Sequence, residues 1–386
     1  MLTSEISFKN FRTKKEKFNS KINKKLKFLI KEKSQLILSL GNNYNDNFSK
    51  KLIKKYNRYK NFKVIGMGGS SLGAQTIYDF LKDKIKKNFF FIDNLNARSD
   101  KTFKNDVNLV VSKSGNTIET IINSNILIKR KQKNIFITEN KKNYLRTLGE
   151  KLKADIINHN NFIGGRYSVL SEVGMLPAEL MGLKSKDFRQ LNSLIKNKKF
   201  LNALVQNVSS TLNFIKYKKL NSIIINYDAK SENLFKWYQQ LIAESLGKHN
   251  KGLLPIISSM PKDNHSLMQL YLDGTQNNFF TFFRVENKNS NKINKKYLMN
   301  SHSYLSNKFS NDILKAQFEA TQNVFKKKGI PFRTFIIKKK DEKTLGELFS
   351  FFILETIMLG KVLKINPFNQ PEVELIKKET FKILKN

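Results

Sequence analysis

The feature that most constrains this chain is an alternation that repeats from residue 63 onward: a short apolar run, a loop rich in glycine and hydroxyl side chains, then a helical stretch. Strands separated by helices pair in parallel, because each connection has to cross the sheet. Near-continuous apolar strands are buried on both faces. The pattern predicts strands over 63–67, 89–93, 107–111 and 134–138, with helices over 72–81 and 118–129. It restarts with strands over 222–226, 254–258, 279–285 and 332–337. A helix over 231–246 opens at Ser231 as N-cap and closes at Gly247, and one over 312–328 stops before Gly329-Ile330-Pro331. The expected fold class is α/β: two tandem three-layer α/β/α units with parallel sheets. The expected division is an N-terminal helical segment over 1–60, units over 61–200 and 201–340, and C-terminal helices over 341–386.

Composition removes several function classes. There is no cysteine, which excludes disulfides, thiolate metal sites and a cysteine nucleophile. Residues 1–17 carry charges throughout and no apolar core of a signal peptide, so a cytoplasmic location is expected. The longest apolar stretch, 345–363, contains Glu347, Glu355 and Lys361, which suits a buried helix and not a membrane span. The formal net charge of +40 raises the question of a nucleic-acid partner. Lysine greatly outnumbers arginine and is spread along the whole length, without the clustering and aromatic interleaving of a nucleic-acid surface. A compositional lysine bias is the reading adopted, with neither nucleic acid nor membrane as partner.

Two strand-to-helix loops suit a phosphate. The first is Gly66-Met67-Gly68-Gly69-Ser70-Ser71, the second Ser112-Lys113-Ser114-Gly115-Asn116-Thr117. Both precede a helix, where unpaired N–H groups and the helix dipole favour an anion. The second adds three hydroxyls and one lysine. The first does not complete a dinucleotide fingerprint, because Ser71 occupies the position of its third small residue, and neither loop follows the Walker pattern.

Candidate acid–base groups are few. Gln240, Glu244 and Lys248 recur at four-residue spacing on one helix, which by spacing alone indicates a surface ion pair between Glu244 and Lys248. The histidines His159, His249, His265 and His302 are too scattered for a metal site, and none is expected. Arg166, in Gly164-Gly165-Arg166-Tyr167-Ser168, stands out as an arginine in a lysine-rich chain, and its planar fork suits paired oxygens.

Taken together these segments resemble the glucose-6-phosphate isomerase family. The matching stretches run in family order: 66–70, 112–120, 164–171, 240–248, then His265-Ser266 with Gln269 and Asp273-Gly274, and finally 365–371. The resemblance implies two sugar-isomerase (SIS) domains and cofactor-free aldose–ketose isomerisation of a sugar phosphate, glucose 6-phosphate to fructose 6-phosphate, in glycolysis and gluconeogenesis. It implies that Ser112, Ser114, Thr117 and the Lys113 backbone hold phosphate, and that Ser70, Gln240 and Gln370 line the sugar. Glu244 becomes the base, Arg166 the stabiliser of the enediolate, and His265 and Lys377 the groups that assist ring opening. That histidine crosses from a partner subunit in the family, so a homodimer follows. The chain departs from the family at Thr275, Asn369 and Glu372. Rival readings are a bifunctional phosphoglucose/phosphomannose isomerase and a non-catalytic SIS-domain sensor of sugar phosphates.

Overall fold

The computed structural model describes residues 2–11, 20–95, 106–129, 132–286 and 290–385. Met1 and residues 12–17 of the N-terminal stretch read above for a leader lie outside the described residues. In chain order the described strands are β1 (Ile6–Lys9), β2 (Asn61–Ile65), β3 (Asn88–Ile92), β4 (Asp106–Val111), β5 (Lys133–Glu139), β6 (Asp155–His159), β7 (Asn221–Asn226), β8 (Leu254–Ser259), β9 (Asn278–Val285) and β10 (Phe332–Ile337). One sheet is ordered β3-β2-β4-β5-β6 and is parallel throughout. The other is ordered β1-β10-β9-β7-β8, parallel except for β1. Every residue of β4 is buried, as is β9 apart from Arg284, which is what helices on both faces require.

The expected strands therefore stand within one or two residues of their predicted bounds, and two further strands appear. The N-terminal segment, read as helical, begins with β1, whose Ile6 lies opposite Ile337 in antiparallel register. Its Ile-Ser-Phe-Lys alternation is the mark of an edge strand with one face covered. Strand β6 extends the first sheet beyond β5. Helix Glu232–Leu246 does have Ser231 at its N-cap position, but the Ser231 hydroxyl donates to Asp228 and caps nothing. Gly247 ends that helix with φ −73°, so no left-handed turn is involved. Glycine is needed because a Cβ there would lie 2.7 Å from the Ala243 carbonyl oxygen.

Helix Glu342–Leu363 is buried from Thr344 to Gly360 and runs through a core shared by both sheets. Val64, Leu109 and Ile137 of the first sheet and Ile224, Phe283 and Phe335 of the second belong to one apolar cluster with Leu348 and Phe352 of this helix. Each such fully buried side chain contributes about 1.5–3 kcal/mol relative to exposure. The three charges that interrupt the helix all find partners. Glu347 accepts from Thr3 at 2.7 Å, Glu355 pairs with Arg333 at 2.5 Å, and Lys361 reaches Glu32 at 2.6 Å. Among the described residues no helix is long and apolar enough to cross a membrane. The shared core presses helix Glu232–Leu246 of the second sheet against helix Leu72–Phe80 of the first, where the Thr76 hydroxyl donates to the Asn233 carbonyl at 2.9 Å. The candidate site residues Arg166, Gln240 and Glu244 lie along that seam.

Candidate active site

The loops at the carboxyl ends of the first sheet come together by backbone approach. After β2 the chain makes a tight turn at Gly68–Ser70, and after β6 another at Gly165–Leu170. A Cβ on Gly69 would sit 2.3 Å from the Gly165 carbonyl carbon and 2.5 Å from the Arg166 nitrogen, so only glycine lets the two turns touch. After β4 comes the loop 112–117. Gly115 holds φ +66°, and a Cβ there would overlap Asn143, whose neighbours brace the loop: the Leu145 amide donates to the Gly115 carbonyl and the Tyr144 amide to the Asn116 side chain, both at 3.1 Å.

In that loop the Ser112 and Thr117 hydroxyls lie 2.8 Å apart, and Ser114 is exposed beside them. Thr117 stands at the N-cap of helix Ile118–Leu127 without a side-chain capping bond, which leaves the first-turn N–H groups to an incoming anion. The Lys113 ammonium is turned away and engaged. It donates to the Asn161 carbonyl at 2.7 Å and lies 3.6 Å from Glu139, and burial lowers its pKa against the opposing pull of Glu139. What Lys113 can offer a phosphate in this arrangement is its backbone.

Across the seam, Arg166 is the hub. Its guanidinium, 2% exposed, makes five hydrogen bonds. Nε donates to the Ser245 hydroxyl at 2.8 Å. One terminal nitrogen donates to Glu244 at 2.8 Å and to the Gln370 side-chain oxygen at 2.9 Å. The other donates to the Pro367 and Asn369 carbonyls at 2.7 and 3.3 Å. All five N–H groups of the guanidinium are thereby used. The second oxygen of Glu244 accepts from Gln240 at 2.9 Å, so the carboxylate is held at both ends while its side chain remains 21% exposed. Lys248 does not meet Glu244. Gly247 ends the helix before it, and its ammonium donates to the Ser245 and Asn366 carbonyls instead.

The structure thus brings Arg166, Gln240, Glu244 and Gln370 into one bonded cluster, and Ser112, Ser114 and Thr117 into one loop. Ser70 lies on the neighbouring Gly68–Ser70 turn. Two expected residues, His265 and Lys377, belong neither to the cluster nor to these loops. His265 is exposed at the end of the short turn Lys262–His265. Lys377 is exposed on helix Pro371–Lys385, which buries none of its side chains, and pairs with Glu374 at 2.6 Å. Asn369, a departure from the family, takes part through its backbone carbonyl, so the change of side chain leaves that bond intact. Residue-by-residue reading missed Tyr167 and Trp237. The Tyr167 hydroxyl, its pKa pushed up to about 12 by burial, joins Ser245 at 2.8 Å and donates to the Pro367 carbonyl at 3.1 Å. The Trp237 ring N–H donates to the Arg166 carbonyl at 3.1 Å. The available signal was that Tyr167 and Ser245 adjoin Arg166 and Glu244 in sequence. Among the described residues there is no cluster of three His, Asp or Glu side chains that could hold a metal.

The family pattern described as Phosphoglucose isomerase matches residues 54–386. The chain is 32% identical over 372 residues to the glucose-6-phosphate isomerase of Methanocaldococcus jannaschii, covering 89% of this chain and 88% of that one. It is 34% identical over 380 residues to the glucose-6-phosphate isomerase of Mycoplasmopsis pulmonis, again covering 89% and 88%. In fold it is similar to a hypothetical protein of Thermus thermophilus, with a TM-score of 0.81 and 22% identity over 95% of this chain and 94% of the other. A chain that matches this family pattern over residues 54–386 and is 32–34% identical to these two enzymes over 89% of its length belongs to the phosphoglucose isomerase family.

Proposed function

We propose that this chain interconverts glucose 6-phosphate and fructose 6-phosphate, as a step of glycolysis and gluconeogenesis, through an enediol intermediate and without a cofactor. The observation that carries the reading is the Glu244 carboxylate, fixed at both oxygens by Arg166 and Gln240 and still open to the seam. In the open-chain aldose Glu244 takes the proton from C2 and returns it to C1, while the hydroxyl proton passes from O2 to O1. Atoms and charge balance, and the product is the ketose. A positioned base of this kind supplies about 10²–10⁴-fold.

Ser112, Ser114, Thr117 and the Lys113 backbone bind the phosphate, and Ser70, Gln240 and Gln370 line the sugar. Arg166 stabilises the enediolate as a fixed positive charge, since its N–H groups are already committed to protein oxygens. His265 and Lys377 assist ring opening. The exposure of His265, away from the Glu244 cluster of its own chain, supports its entry into the site of a second subunit, and hence a homodimer. We read the chain as two SIS domains, 61–200 and 201–340, flanked by 1–60 and 341–386, working in the cytoplasm. The test is purified protein supplied with fructose 6-phosphate while glucose 6-phosphate is followed by a coupled dehydrogenase. Absence of product would end the proposal, and mannose 6-phosphate in the same assay tests whether the enzyme is bifunctional.

A further inference from the structure

Between helices Glu342–Leu363 and Pro371–Lys385 the chain runs as a strap, 364–370, that delivers Gln370 to Arg166. The strap is fastened largely through backbone carbonyl oxygens, and the donors are mostly cations. Arg166 takes the carbonyls of Pro367 and Asn369. Lys248 takes that of Asn366 at 2.7 Å, and Lys251 takes that of Leu363, just before the strap, at 3.2 Å. Lys248 and Lys251 are the two corners of one tight turn, in which the central His249 and Asn250 both hold φ +54°. Left-handed backbone at two consecutive non-glycine residues is costly, and here it turns both corner lysines onto the same segment.

Lys248 has a second bond. Its ammonium also donates, at 2.8 Å, to the carbonyl of Ser245, the residue next to Glu244. A lysine at a helix end capping a carbonyl is ordinary. One that bridges the base-bearing turn to the strap holding Gln370 is not. We propose that Lys248 is a positioning residue for isomerisation, a clasp that holds the Glu244 end of its helix and the strap 364–370 at the spacing the reaction needs. The inference rests on the reading of Glu244 as the base.

The surroundings of Lys248 make the clasp sensitive to pH. Burial and the neighbouring Arg166 guanidinium lower its pKa to about 8, against the opposing pull of Glu244. His249, Lys251 and Glu372 are the other ionisable groups lining the same cleft of about 620 Å³. Above that pH the ammonium loses its charge, and both bonds weaken to those of a neutral amine.

The experiment compares parent, Lys248→Met and Lys248→Arg by steady-state kinetics from pH 6.5 to 9.5, with thermal unfolding and inhibition by inorganic phosphate as controls. Lys248→Met is expected to lower kcat by about tenfold or more, the scale of a slight misalignment of reacting groups, with the phosphate inhibition constant unchanged. The parent should lose kcat on an alkaline limb near pH 8, and Lys248→Arg, charged throughout, should stay active without that limb. Parental kcat in Lys248→Met, or the same alkaline limb in Lys248→Arg, overturns the proposal. Should Lys248→Met unfold, the Lys248→Arg pH profile decides alone. A parent that does not isomerise fructose 6-phosphate at all would defeat the reading of the site instead, which separates the two failures.

Discussion

Replacing Arg166 by lysine keeps one positive charge and removes the fork. An ammonium has three N–H donors where the guanidinium has five, so at least two of the bonds at this buried position must go. The shortest bonds, to Pro367, Ser245 and Glu244 at 2.7–2.8 Å, are those a lysine could best attempt to remake. Gln370 at 2.9 Å and Asn369 at 3.3 Å are then left. A bond to a charged group contributes about 1.5–3 kcal/mol. Counting the first in full and the longer one at the low end, the loss is about 3–4.5 kcal/mol. At 1.36 kcal/mol per tenfold in rate, Arg166→Lys should reduce kcat/KM by about 10²–10³-fold if the whole loss falls on the transition state. Strap bonds that also hold the resting protein will show part of that loss as a lower unfolding midpoint. The assay is fructose 6-phosphate isomerisation coupled to a dehydrogenase, run beside thermal unfolding. A variant within threefold of the parent in kcat/KM, with a parental midpoint, would refute the claim that the five-bond fork matters.

Glu244→Gln keeps the bond-accepting oxygen but cannot take a proton, so kcat should fall by about 10²–10⁴-fold with KM little changed; near-normal turnover would remove Glu244 as the base. Ser112→Ala with Thr117→Ala deletes two hydroxyls that face the same point, and the dissociation constant for fructose 6-phosphate in calorimetry should rise at least tenfold, at about 1.5–3 kcal/mol per lost bond to a charged group. Gly69→Ala forces a methyl into the Gly165 backbone and should cost about 1–3 kcal/mol of stability while displacing Arg166, seen as a lower urea midpoint together with reduced kcat. Subunits of His265→Ala and Glu244→Gln, each inactive, should regain activity when dissociated, mixed and reassociated; verified heterodimers without activity would mean that each site is built within one chain.

How much was legible follows from the range of the interactions. The strands and the two glycine–hydroxyl loops that follow them could be read because apolar runs and glycine–hydroxyl loops are local signals. β1 was obscured by the basic residues around it, although Ile6 and Phe8 alternate with polar neighbours as an edge strand should. Glu244 shows where local spacing fails. The i,i+4 rule pairs it with Lys248, but Gly247 takes Lys248 off the helix, and the carboxylate turns instead to an arginine seventy-eight positions earlier. The clustering of Arg166 with Pro367, Asn369 and Gln370 depends on two units packing around a shared core, and no periodicity reports such a meeting.

The antiparallel pairing of β1 with β10 has a consequence for the order in which the protein is made. Synthesis proceeds from the N-terminus and domains tend to fold as they emerge. β1 is synthesised before either parallel sheet, yet its partner Phe332–Ile337 follows only after both parallel sheets have been almost entirely translated. Until then Ile6 and Phe8 lack the strand they pair with, and β9 is left as an open edge of the second sheet. The first sheet, with β2 to β6 contiguous in sequence, can close during translation, whereas the sheet packed against the Glu244 helix is sealed last, by a strand that precedes all the others described.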